Sequence, residues 1–177
     1  MLFNSYEFIF VFLPITFFIY FYLNHKRLTE ASKGFLVCSS LFFYSWWNVL
    51  YLPIILASMT FNYVIGRGLD KTYNKGKKFS KKLILIFGIF SNLSLLGYFK
   101  YADFFIENIN ITFSINAEPL HLLMPLAISF FTFQQIAYLV DSYKQEAKEY
   151  HFLNYALFVT FFPQLIAGPI VHHKEMM

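Results

Sequence analysis

A chain of 177 residues that is 58% hydrophobic and 23% aromatic, with 14% of its residues charged, is not an ordinary soluble domain, where about a quarter of residues carry charge. It suits one membrane domain, 1–177. The formal charge of +4 does not argue for nucleic acid, because half of the 14 Lys and Arg residues crowd into residues 67–82, which membrane topology explains better.

The first apolar stretch covers residues 6–23. Glu7 is the only charge before Lys26, and His25-Lys26-Arg27 stand where a small-residue cleavage site would be. The stretch therefore reads as a retained span rather than a cleavable leader. Pro14 lies inside it, which a membrane helix tolerates when neighbours satisfy the freed carbonyl.

Second and third stretches lie between Lys33 and Arg67 and turn near Trp46-Trp47-Asn48. At 1.5 Å per residue they supply roughly 50 Å of helix, whereas two crossings of a hydrocarbon core need roughly 60 Å. A short hairpin, or a membrane thinned around it, is expected. Trp46 and Trp47 fit an interfacial aromatic belt. Cys38, the one cysteine, sits here. It excludes an intramolecular disulfide and a thiolate metal site, and reads as a small buried hydrophobe.

The fourth stretch, 83–99, holds Gly88, Ser91, Asn92, Ser94 and Gly97, small and polar positions that let helices approach and bond. Asn92, and Asn62 before it, read as packing amides. A fifth span is expected over 122–140, with Pro125 near its start and Asp141 at its end. A sixth segment, 152–171, is broken by Pro163, Gly168 and Pro169 and followed at once by His172 and His173. Its unbroken part, 152–162, is too short to cross. Broken backbone at membrane depth occurs only where protein or a water-filled cavity covers it.

The fold class is thus all-α, a polytopic membrane helix bundle of about five spans plus a broken or re-entrant segment. The lysine-rich segment 67–82 reads as a solvated cytoplasmic linker. Residues 100–119, with Asp103, Glu107 and Glu118 against Lys100, are expected outside as a loop, which puts the N-terminus outside as well.

His172 and His173 offer imidazoles suited to acid–base work near neutral pH, or simply begin an interfacial loop. Their side-by-side spacing is not that of a chelating pair, so no metal is expected. Gln134 and Asp141 share a helix face two turns apart. Either lines a working interior, or Gln134 is helix–helix glue and Asp141 meets water at the interface. Phosphate-loop, zinc-protease and nucleophile-elbow motifs are absent.

In order along the chain come Tyr44-Ser45-Trp46-Trp47, Leu96-Gly97-Tyr98-Phe99-Lys100-Tyr101, Met124-Pro125-Leu126-Ala127-Ile128-Ser129-Phe130-Phe131-Thr132-Phe133-Gln134, Ile136-Ala137-Tyr138-Leu139-Val140-Asp141, and Phe162-Pro163-Gln164-Leu165-Ile166-Ala167-Gly168-Pro169-Ile170-Val171. Together they resemble the N-terminal part of a membrane-bound O-acyltransferase, of the bacterial branch that acetylates alginate and other extracytoplasmic glycans. The resemblance implies helices around a central tunnel in the bacterial inner membrane. It also implies an acyl group taken from a cytoplasmic donor, acetyl-CoA, with no resident cofactor. That group passes toward a polysaccharide hydroxyl, with an extracytoplasmic acyl-transfer partner. By the same resemblance the catalytic histidine lies beyond Met177, so no catalytic residue is assigned in this chain. Family members often carry Arg then His where this chain has His172 and His173. Gln134, Asp141, Pro163, Gln164, Gly168, Pro169, His172 and His173 are expected along the tunnel wall. The chain reads as a truncated front portion, a fragment or split frame, inactive alone. The alternative is a non-catalytic membrane subunit or transporter component.

Overall fold

The computed structural model describes residues 5–74, 78–113, 118–121, 124–125, 127–145 and 151–163. Its elements are helical: a π-wound turn Phe8–Phe12 leading into α1 (Leu13–His25), then α2 (Thr29–Trp47), a 3₁₀ turn Val49–Tyr51, α3 (Leu52–Asn74), α4 (Lys78–Phe113), α5 (Ile128–Lys144) and α6 (Phe152–Thr160). Among the described residues, three helical stretches are long and apolar enough to cross a membrane, Phe8–His25, Val49–Asp70 and Ser80–Phe113. The protein is an all-α membrane helix bundle.

Local chemistry explains the boundaries. Pro14 has no N–H to offer the preceding turn, and the chain winds wider just before it, with the Leu13 N–H reaching back to Phe8 O. α1 ends in a reversal in which Arg27 takes a left-handed φ of 58°. The Arg27 N–H bonds Asn24 O and the Leu28 N–H bonds Leu23 O, the paired closure of a Schellman turn. Asn48 breaks α2 from α3 in extended conformation, and its side chain accepts from the Leu50 N–H at 2.9 Å.

The joint at Trp47 and Asn48 falls where the sequence places it, but α2 and α3 are not a tightly packed hairpin. α2 packs chiefly on α1 and α6, whereas α3 packs on α4 and α5. Both helices also draw polar residues into their ends, Thr29 to Lys33 and Gly68 to Asn74, and so reach about 28 and 34 Å. That removes the shortfall in length.

Two further expectations are corrected. Residues 100–113 are not a loop but the second half of α4, a helix of 36 residues, or about 54 Å. No Gly or Pro lies between Gly97 and Pro119 to stop it. Lys100, Asp103 and Glu107 recur every three or four residues, so their charges share one face. The basic segment is likewise largely helical: Arg67 and Lys71 belong to α3, and Lys78, Lys81 and Lys82 to α4. Lys81 is buried.

α5 starts at Ile128, later than expected, because Ala127 sits at a left-handed φ of 56° behind Pro125, and it runs past Asp141 to Lys144. The chain leaves α6 at Phe161, whose ψ is 105°. A helix carried through Pro163 would leave the Val159 carbonyl without its donor.

Two apolar clusters hold the layers together. One joins Tyr44, Ile55, Met59, Phe131, Tyr138, Tyr155 and their neighbours across α2, α3, α5 and α6. The other is an all-phenylalanine knot of Phe8, Phe12, Phe43 and Phe162, with ring centroids 5.3 to 6.0 Å apart. Such pairs contribute about 0.5–1.5 kcal/mol each beyond buried area. The knot ties the end of α6 to α1 and α2.

Candidate functional site

α5 carries an unusual load for an apolar helix. Its buried side chains include Thr132, Gln134, Gln135, Asp141 and Ser142 alongside Phe131, Tyr138 and Leu139. Neighbours on a helix diverge by about 100°, so Gln134 and Gln135 serve different interfaces.

Gln135 faces α3 and α4. Its Oε1 accepts from Ser58 Oγ at 2.7 Å and from Asn62 Nδ2 at 2.5 Å. Asn62 and Asn92 bond reciprocally, Asn62 Nδ2 to Asn92 Oδ1 at 3.0 Å and Asn92 Nδ2 to Asn62 Oδ1 at 2.6 Å. Each asparagine also donates to its own helix, at Ser58 O and Gly88 O. Ser58, Asn62, Asn92 and Gln135 thus form one buried polar junction of three helices.

Small residues permit that junction. A Cβ on Gly66 would lie 2.5 Å from Tyr138 Oη, and one on Gly88 would lie 2.7 Å from Leu139 Cδ1. At the lysine-rich end the same three helices are tied again. Gln145 Nε2 donates to Asp70 Oδ1 at 3.0 Å. Lys81 Nζ donates to the Tyr143 carbonyl and lies 4.7 Å from the Tyr143 ring centre.

Gln134 faces α6, where Nε2 donates to Phe158 O at 2.6 Å. α2 holds α6 from the other side: Lys33 Nζ donates to Asn154 Oδ1 at 2.8 Å, and the Phe162 N–H donates to Ser40 Oγ at 3.4 Å. Several buried polar atoms have no hydrogen-bond partner among the described residues: Tyr44 Oη, Thr132 Oγ1, Gln134 Oε1 and Tyr155 Oη on α2, α5 and α6, and Gln135 Nε2 at the junction with α3 and α4. Each such group costs about 1–3 kcal/mol. Native proteins normally satisfy them with water, ligand or further protein.

Of the residues singled out in the sequence, Gln134 is buried at the α5–α6 contact and Asp141 is buried further along α5, not open to water. Pro163 is exposed beside the phenylalanine knot. It helps line a cavity of about 250 Å³ with Leu13, Thr16, Tyr20, Leu36 and Phe162. Gln134 and Pro163 both come to the C-terminal end of α6, one through Phe158 and the other next to Phe162. Gln164, Gly168, Pro169, His172 and His173 lie outside the described residues. Sequence reasoning passed over Gln135, although Ser58 and Asn62, one turn apart on α3, already pointed to a polar partner.

Comparison with known proteins gives relatives along the whole chain. A peptidoglycan O-acetyltransferase of Helicobacter pylori is 48% identical over 203 aligned positions, covering 100% of this chain and 38% of that protein. The probable alginate O-acetylase AlgI of Pseudomonas aeruginosa is 36% identical over 182 positions, covering 100% of this chain and 34% of the relative. AlgI of Azotobacter vinelandii is 35% identical, with 100% and 35% covered. The chain thus spans little more than a third of the length of these curated relatives. No protein-family model and no solved structure matches it. Every part of its length is thus similar to O-acetylases of peptidoglycan and alginate, in line with the resemblance to membrane-bound O-acyltransferases that its motifs carry.

Proposed function

We propose that this chain is the N-terminal part of a membrane O-acetyltransferase that moves an acetyl group from a cytoplasmic donor, acetyl-CoA, toward hydroxyls of an extracytoplasmic polysaccharide. The observation that carries the reading is the 48% identity to the Helicobacter pylori peptidoglycan O-acetyltransferase across the whole chain. Peptidoglycan is therefore the first acceptor to test, ahead of alginate. The unpartnered Tyr44, Thr132, Gln134 and Tyr155 atoms support a polar interior at the α2–α5–α6 junction, a wall that remaining helices of a longer protein would complete. Gln134 and Asp141 belong to that wall in this reading.

The topology that accompanies the reading sets the protein in the bacterial inner membrane with the N-terminus outside. The basic ends of α3 and α4 then lie in the cytoplasm, where basic segments stay. The polysaccharide would be reached outside, with an acyl-transfer partner protein there.

The test is genetic and chemical. The gene that carries this chain is disrupted, and acetate released by mild base is measured from purified peptidoglycan and from exopolysaccharide. Loss of acetate from peptidoglycan, restored by the intact gene, supports the proposal. Loss from exopolysaccharide alone moves the acceptor. Unchanged acetate in both overturns the reading.

A further inference from the structure

α1 and α2 run antiparallel and leave a groove of about 570 Å³ between them. Along α1 it extends from Glu7 to Thr16, and along α2 from Phe35 to Trp46. Those stretches rise about 14 and 16 Å, half the depth of a hydrocarbon core, so the groove is about one leaflet deep. Its walls are apolar (Val11, Phe12, Ile15, Phe42), and its floor is small at Cys38 and Ser39. Cys38 is exposed in this groove, not buried as its sequence context suggests.

One end differs from the rest. Among the described residues Glu7 is the only charged one lining the groove, and it stands with Trp46 where the α1 and α2 ends meet. Tryptophan favours the headgroup level of a bilayer. The Glu7 carboxyl is held below its ordinary value, chiefly by a backbone N–H and then by the Ser5 hydroxyl, so it carries its negative charge at neutral pH. A carboxylate at headgroup depth above an acyl-sized slot selects a lipid with a cationic amine and disfavours one whose headgroup is only anionic. The comparable cavity between α3 and α4, about 470 Å³, has no charged residue in its lining among the described residues.

We propose that the α1–α2 groove is a binding site for an amine-headgroup phospholipid of the phosphatidylethanolamine class. One acyl chain lies along Val11, Ile15 and Phe42, and the ammonium pairs with Glu7.

The test uses the intact protein reconstituted in vesicles of phosphatidylethanolamine and phosphatidylglycerol. A phosphatidylethanolamine with a photoreactive acyl chain is crosslinked, and the labelled peptides are mapped by mass spectrometry. Labelling should fall on α1 and α2 and be competed by unlabelled phosphatidylethanolamine better than by phosphatidylglycerol. Exposed ion pairs are weak, so Glu7→Gln should lower capture about threefold, and Glu7→Lys should turn the preference toward phosphatidylglycerol. Cys38→Phe, which fills the floor and keeps Glu7, should abolish labelling in the groove. Equal capture of both lipids by wild type and Glu7→Gln would mean ordinary boundary lipid and overturn the proposal. Absence of label from the groove in the wild type, with another helix crosslinked there instead, would overturn it too.

Discussion

The amide junction shows how single residues specify this bundle. Interhelical hydrogen bonds in membranes contribute about 0.6 kcal/mol on average and up to about 1.7. The reciprocal Asn62–Asn92 pair should therefore give a coupling near the upper end of that range. A double-mutant cycle with Asn62→Ala and Asn92→Ala, read by unfolding in mixed micelles, measures it. A coupling near zero would mean that the two amides act independently. Gly66 gives a sharper test of close approach. Its added methyl would meet Tyr138 Oη at 2.5 Å, and Tyr138 is itself buried, its ring 4.4 Å from Tyr155. Gly66→Ala should destabilise by about 1–3 kcal/mol, as overpacking does. Gly68→Ala, with nothing within 4 Å of its new methyl, should be neutral or gain up to about 1 kcal/mol from helix propensity. Equal effects at the two positions would remove the close-contact explanation.

Among the elements, α6 is the shortest helix described and the most dependent on its neighbours. At nine residues it has too little length to be stable alone. It is held by Gln134 on one side and by Lys33 and Ser40 on the other. Gln134→Leu removes the hydrogen bond to Phe158 O, a cost of about 0.5–1.5 kcal/mol. In the intact protein, on the function proposed above, this variant should lower glycan acetylation about tenfold or more, with membrane-inserted protein near wild-type level. Gln134→Glu, which keeps the size and loses the donor, should behave alike. Full activity in both would detach Gln134 from the working wall. α4 teaches a different lesson. Its second half was legible as charged but not as helical, because loop and amphipathic helix share composition. Only the spacing of Lys100, Asp103 and Glu107 separates them.

For the whole molecule, the two packing groups, α1–α2–α6 and α3–α4–α5, meet through contacts of α6 with α3 and α5. Large apolar side chains such as Phe10, Phe18, Phe87 and Phe90 stay exposed, as a lipid-facing or further-protein surface requires. α4 also supplies a ruler for topology. Lys82 and Glu107 are both exposed on one unbroken helix, and their separation is about 38 Å, more than a hydrocarbon core of about 30 Å. With Cys38 replaced by Ser, a cysteine at 107 should react with an impermeant maleimide in intact spheroplasts. A cysteine at 82 should react only after permeabilisation. The reverse pattern would invert the orientation proposed above, and labelling of both from one side would deny that α4 crosses.

Composition alone determined that the protein is a helical membrane bundle, because apolar run length and scarcity of charge are properties of the chain read locally. Asn48 marked its break, and Pro14 the wider winding before it, for the same reason: a turn-forming amide or a missing N–H acts on its own neighbours. What only the tertiary structure decided is which polar groups meet. Asn62 and Asn92 are 30 residues apart and Ser58 and Gln135 are 77 apart, and no local rule pairs them until α3, α4 and α5 are packed. The same holds for α2, which is joined in sequence to α3 but packs on α1 and α6. Burial in a bundle follows which helix faces match, and that matching is a property of several helices at once.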